Sequence, residues 1–119
     1  MNRAHQTGQQ GEQIALNYLR GRGYQIVEVN WHCLEGEIDI IAQLDHLWVF
    51  VEVRTRRSEL LEAALESITL SKRQKLLRAV YQYLQVHQLE ECEWRIDLIA
   101  IALDRGKAQI TQVENAFDW

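Results

Sequence analysis

Asp39 and Glu52 are acids set inside two strongly apolar runs, GEIDIIA at 36–42 and LWVFVEVR at 47–54, and the second run leads straight into Arg54, Arg56 and Arg57. Taking a carboxylate out of water costs several kcal/mol unless its charge is compensated, so both acids call for a partner. Strand alternation says where they go. Ile38, Ile40 and Ala42 form one face of the first run, and Leu47, Val49, Val51 and Val53 one face of the second. If these apolar sets share a side, the other side collects Glu37, Asp39, Ile41, Trp48, Phe50, Glu52 and Arg54. A two-residue turn at Asp45 and His46 sets Asp39 directly opposite Glu52; a four-residue turn shifts it by one pleat but keeps the face. Opposed side chains have Cβ atoms about 4.5–5.5 Å apart, where two carboxylates repel. A divalent cation between them resolves the conflict, and hard oxygen donors with room for water favour magnesium or manganese over zinc. Arg54 returns to the same face about 6–7 Å farther along, within reach of a phosphate held by such a metal. The alternative without chemistry is that Glu52 pairs with Arg54 or Arg56 and Asp39 caps a strand end.

The elements that must position these acids are legible in the surrounding pattern. Thr7-x-x-Gln10 has the form of a capping box, and Ile14, Ala15, Tyr18 and Leu19 recur at helical spacing until Gly21 and Gly23. Residues 24–33, YQIVEVNWHC, are rich in β-branched and aromatic types and predict a strand, followed by strands at about 37–42 and 47–54. Ser71-x-x-Gln74 is a second capping box, and Leu76, Leu77, Val80, Tyr81 and Leu84 predict a helix over roughly 72–88. WRIDLIAIAL at 94–103 is the nearly continuous apolar run of a strand buried on both faces, and a short strand follows near 108–113. Residues 58–68 have helix propensity without a firm boundary. Helix, three strands, helix and strand together give an α/β sandwich, a mixed sheet with flanking helices.

Bulk properties narrow the class. A chain of 119 residues with 47% apolar and 25% charged residues is expected to fold as a single soluble domain, 1–119. No apolar stretch approaches the roughly 20 residues of a membrane span, and the polar start MNRAHQTGQQ lacks the apolar core of a secretory signal, so no membrane partner and a cytoplasmic location are expected. Cys33 and Cys92 fit no metal or redox spacing, and the four histidines are scattered. The net charge of −4 argues against a general nucleic-acid binder. Its distribution argues otherwise: residues 54–78 carry Arg54, Arg56, Arg57, Lys72, Arg73, Lys75 and Arg78 against three glutamates, a net +4, leaving −8 on the remainder. A solvated helix face would give the same pattern.

Asp39, twelve intervening residues, and then Glu52-Val53-Arg54 resemble the D…(E)xK signature of the PD-(D/E)xK, or restriction-endonuclease-like, nuclease superfamily. The segments GEQIALNYLRGRGYQIVEVNW, GEIDIIA, VFVEVRTRR, SKRQKLLRAVYQYL and WRIDLIAI, in that order between Gly11 and Phe117, resemble the bacterial YraN family, itself similar to archaeal Holliday-junction resolvases. The resemblance implies a three-layer sandwich. It also implies a Mg2+ or Mn2+ ion on Asp39, Glu52 and the carbonyl of Val53. Glu12 would be a further acid beside the metal, and Glu37 would stand behind the ligands. Arg54 stands where the superfamily has lysine; it cannot act as a base, but its donors can stabilise a pentacovalent phosphate. Lys72 or a metal-bound hydroxide would then supply the base. Arg56, Arg57, Lys72 and Arg73 fit a rim that tracks the phosphate backbone. Asp97 is expected to be structural, and Tyr18, Trp31 and Trp48 are assigned to packing instead of base stacking.

Three functions compete at this point. The first is a magnesium-dependent nuclease on structured or branched DNA, for which a symmetric homodimer would cut two strands. The second is a nucleic-acid-binding module that keeps the nuclease fold without its chemistry, and the third is a protein-interaction scaffold.

Overall fold

The computed structural model describes residues 3–57 and 61–117. In chain order the elements are α1 (Arg3–Gly21), β1 (Gln25–Cys33), β2 (Gly36–Leu44), β3 (Leu47–Arg57), α2 (Leu61–Glu66), α3 (Leu70–Val86), β4 (Trp94–Asp104) and β5 (Lys107–Val113). The five strands lie in sequence order in one sheet. Short turns make neighbours antiparallel: Asp45 (φ 55°) closes β2–β3, and Arg105 (φ 50°) with Gly106 (φ 76°) closes β4–β5, the left-handed backbone that tight hairpins require. Only β3 and β4 run parallel, because α2 and α3 carry the chain back between them.

Each face of the sheet has its own core. On one, Ala15, Leu16 and Leu19 of α1 pack on Ile40, Ala42, Val49, Val51, Ile99 and Ile101. On the other, Leu76, Ala79, Val80, Tyr83 and Leu84 of α3 pack on Ile41, Phe50, Ile96 and Leu98. Strands β3 and β4 are therefore covered on both sides, which is why their sequences read as apolar runs. The result is the expected three-layer sandwich of a mixed sheet between helices. Trp31 and Trp48 both pack on Tyr83, with ring centroids 5.2 and 6.1 Å apart, and Tyr18 lies against the α1 core under the Arg22 guanidinium.

Element ends differ from the sequence expectation where local caps compete. Helix α1 begins at Arg3, so Thr7 lies inside it; the side chain of Thr7 falls outside the described residues. The cap of α3 is Thr69, not Ser71: Thr69 is extended (φ −68°, ψ 163°) and its Oγ1 accepts from the N–H of Lys72 at 3.2 Å. Ile68, buried just before it, fixes that entry point. Residues 61–66 of the ambiguous stretch are helical, and residues 58–60 fall outside the described part.

At Gly11 the backbone of α1 passes close against Thr55 of β3. A Cβ there would overlap Oγ1 of Thr55 and come within 2.8 Å of its Cβ. Gly11→Ala is therefore expected to lower stability by about 1–3 kcal/mol in urea denaturation, even though alanine is the better helix former.

Candidate metal centre

The centre forms where the sheet breaks. Pairing of β2 with β3 runs from Leu44↔Leu47 to Ile40↔Val51, the register of a two-residue turn, and stops there. On the other side of β2, the register with β1 slips by one residue between Ile26 and Glu28; beyond it Val29 pairs with Ile40 and Trp31 with Ile38 in one register, with Asn30 and Asp39 unpaired between them. Asn30 is left-handed (φ 54°) in the middle of its strand. The reversal turns the outer half of the β1–β2 ribbon over. Trp31 and Cys33 pack with the α3 core, although Val29, two residues before Trp31, packs with the α1 core. Ile38 follows the same turn: it belongs to the α3 core with Ile41 and Phe50, not to the face of Ile40 and Ala42 expected from strict alternation. A local backbone reversal, invisible to a period-two reading, is the cause.

Freed from the ladder, Asp39 turns into the gap between β2 and β3. Its Oδ2 accepts from the N–H of Val53 at 2.8 Å, replacing the main-chain partner that continued pairing would have provided. Trp48 N–H donates to the carbonyl of Glu93, so Trp48, Phe50 and Glu52 aim their main-chain groups at β4 and the odd residues of β3 aim theirs at β2. The carbonyl of Val53 consequently shares the gap with Asp39. Glu52 and Asp39 meet side chain to side chain and hydrogen-bond each other.

Electrostatics mark this pair as costly. Burial, then the charge of Asp39, pushes Glu52 up to about 8 despite the counter-charge of Arg54. Burial likewise pushes Asp39 up to about 6, against the lowering effect of the Val53 N–H; the charges of Glu37 and Glu12 add to the rise. At neutral pH the pair holds a proton where a cation would serve better. Two carboxylates and one carbonyl fit a hard dication that keeps several waters, as magnesium does. Among the described residues, no three or more His, Cys, Asp or Glu side chains stand together as a group that could hold a metal ion, so Glu12 and Glu37 do not join Asp39 and Glu52 in one ligand cluster.

The other candidates fall around this gap in different ways. Glu12, half-buried on α1, accepts from Asn30 Nδ2 at 2.8 Å. Glu37 turns outward to His32, 3.3 Å away, and reaches the pair through its charge. Arg54 lies 3.5 Å from Glu52, the pairing that the alternative reading required, but its buried Nε has no hydrogen-bond partner among the described residues. Arg73 is tucked over the Phe117 ring, 5.5 Å from its centroid, and its Nε is likewise unpartnered there. Lys72 Nζ reaches back to the carbonyl of Ser67 at 3.4 Å, and Arg56 donates to the carbonyl of Thr55 at 2.9 Å. The side chain of Arg57 falls outside the described residues. The basic residues thus include two that are drawn inward, which charge counting did not suggest.

Asp97 lies apart from this centre and is fully buried. It accepts from Arg95 Nε (2.9 Å), Gln112 Nε2 (2.8 Å) and the N–H of Asn115 (3.0 Å), while Arg95 and Gln112 both donate to the Tyr24 hydroxyl. This node ties β4, β5, the C-terminal segment and the start of β1 together. Asp97→Ala is expected to cost about 3–5 kcal/mol in thermal or chemical unfolding, because it leaves Arg95 only the exposed Glu114 at 3.5 Å and takes the acceptor from Gln112 and the Asn115 N–H. Manganese affinity of the folded fraction should be unchanged.

Residues 11–101 match the model of the uncharacterised protein family UPF0102. A UPF0102 protein of Herpetosiphon aurantiacus is 47% identical over 107 residues, covering 87% of this chain and 86% of its own. One from Chloroflexus aurantiacus is 46% identical over 101 residues, covering 84% and 82%. One from Legionella pneumophila is 39% identical over 111 residues, covering 93% of each. The family match takes in Glu12, Asn30, Asp39 and Glu52 alike, and with these identities over most of both chains the protein belongs to the UPF0102, or YraN, family.

Proposed function

We propose that the protein is a metal-dependent nuclease that hydrolyses phosphodiester bonds in structured or branched DNA. The observation that carries this reading is the meeting of Asp39 and Glu52 in a gap of the sheet, beside the main chain of Val53, with both carboxyls held above their ordinary pKa values. Structural ion pairs lower carboxylate pKa values; a pair raised in this way is arranged to receive a cation. Asp39, Glu52 and the Val53 carbonyl would hold Mg2+ or Mn2+. The dication's contribution is to acidify a bound water and to draw charge from the phosphoryl oxygens.

Arg54 cannot take a proton from that water, so its part is to donate. A buried guanidinium N–H without an acceptor costs about 1–3 kcal/mol, a cost that a phosphate oxygen would relieve. Arg73, Lys72 and Arg56, at the start of α3 and the end of β3, supply positive charge for the adjoining backbone. Cutting two strands of a branched substrate would need two copies of so small a domain, arranged symmetrically.

One observation favours a second reading, a nucleic-acid-binding module without chemistry. Arg54 occupies the position of the superfamily's lysine and leans on Glu52, which could neutralise the site instead of loading it. Labelled duplex, single-stranded and four-way-junction substrates, incubated with and without manganese, separate the two. Metal-dependent cutting supports the nuclease. Salt-sensitive binding without cutting, together with gain of cutting in Arg54→Lys, supports a decayed enzyme.

A further inference from the structure

Asn30 is the residue through which the break in the sheet and the placement of Glu12 are joined. It stands at φ 54° in the middle of β1, between the Val29↔Ile40 and Trp31↔Ile38 pairs and beside the position that Asp39 leaves. Asparagine is one of the few side-chain-bearing residues that adopts this conformation readily. The reversal has two effects. It lets Asp39 leave the ladder for the Val53 N–H, and it directs the Asn30 amide across to α1, where Nδ2 donates to Glu12 Oε1 at 2.8 Å. Glu12 is thereby held close enough for its charge to act on Asp39. The close contact of Gly11 with Thr55 fixes the helix backbone at the adjacent residue, so the Glu12 side chain is held from both ends.

We propose that Asn30 is a positioning residue for the metal centre, orienting Glu12 toward the cation and its bound water while its left-handed backbone frees Asp39. The proposal rests on the metal-dependent reading above. Its side-chain and backbone roles can be separated, because glycine accepts φ 54° without strain. Asn30→Gly should keep the fold and the Asp39 arrangement but release Glu12. Asn30→Asp should place a like charge against Glu12.

The test is a double-variant cycle on manganese affinity by calorimetric titration, supported by junction cleavage. Asn30→Gly and Glu12→Gln should each weaken manganese binding by about tenfold, the usual effect of losing a residue that orients a ligand. Their combination should be no worse than Glu12→Gln alone, and Asn30→Asp should be at least as weak as Asn30→Gly. Melting temperatures without metal should stay close to wild type for Asn30→Gly. Additive effects in the double variant, or wild-type affinity in Asn30→Gly, would overturn the proposal while leaving the metal centre standing. No manganese binding by the wild-type protein would overturn the metal centre and this proposal with it.

Discussion

Alanine at Asp39 or at Glu52 is expected to lower manganese-dependent cleavage of a four-way junction by about 10³-fold or more, with the fold retained. Each replacement removes one of the two carboxylates that would hold the ion directly, and the remaining acid with one carbonyl is too poor a site to keep a dication in place. The two losses should not add, since either one already empties the site. Stability separates this result from simple unfolding. Both variants delete a buried acid that the metal-free protein accommodates at a cost, but Asp39→Ala leaves the Val53 N–H without its acceptor and Glu52→Ala leaves Arg54 without its counter-charge, so each should lose about 1–3 kcal/mol and still unfold cooperatively. Cleavage retained in both variants would remove these residues from the chemistry.

The second large effect is on stability against pH. Glu52 is raised to about 8 and Asp39 to about 6, from ordinary values of 4.5 and 3.8. A carboxyl whose pKa is raised by folding binds its proton more tightly in the native state. Its contribution is therefore fully present in acid, below its unfolded pKa, and is lost as pH climbs through the folded one. The metal-free protein should thus lose several kcal/mol of stability between about pH 4 and pH 8, because a tenfold difference in proton affinity between folded and unfolded chains is worth about 1.4 kcal/mol. Glu52→Gln should flatten this dependence and raise the melting temperature at about pH 8 and above. Millimolar manganese should restore the wild-type protein in the same range and leave Glu52→Gln unchanged. Wild-type affinity for manganese should rise as pH passes about 6 and then about 8, because binding displaces protons. A melting profile that is flat with pH and indifferent to manganese would mean that the pair does not carry this burden.

Much of this arrangement can be read from the chain. The alternation of Val49, Val51 and Val53 against Trp48, Phe50, Glu52 and Arg54 sets the faces of β3, and Asp45–His46 is short enough to bring Asp39 level with Glu52. The run at 94–103 announces a doubly covered strand, and the amphipathic stripe of Leu76, Val80 and Leu84 announces the helix that covers one side of it. What escapes a periodic reading depends on single residues. Asn30 reverses the backbone within a strand whose composition is otherwise ordinary, and only its tolerance of positive φ hints at it. That reversal moves Ile38 to the other core and lets Asp39 bond to Val53. Thr69 displaces Ser71 as a cap because Ile68 is the buried anchor before it, a tertiary fact that the capping-box pattern does not contain. The inward placement of Arg73 depends on Phe117, far along the chain at its C-terminal end, so charge counting treats it as one more surface cation.

The most direct measurement is a crystal of the protein soaked in manganese at about pH 8 and recorded at the metal's absorption edge. An anomalous peak about 2.1 Å from a carboxylate oxygen of Asp39, a carboxylate oxygen of Glu52 and the carbonyl oxygen of Val53 is the expected result. If the two side chains instead stay joined by their shared proton and no peak lies between them, that result contradicts the account.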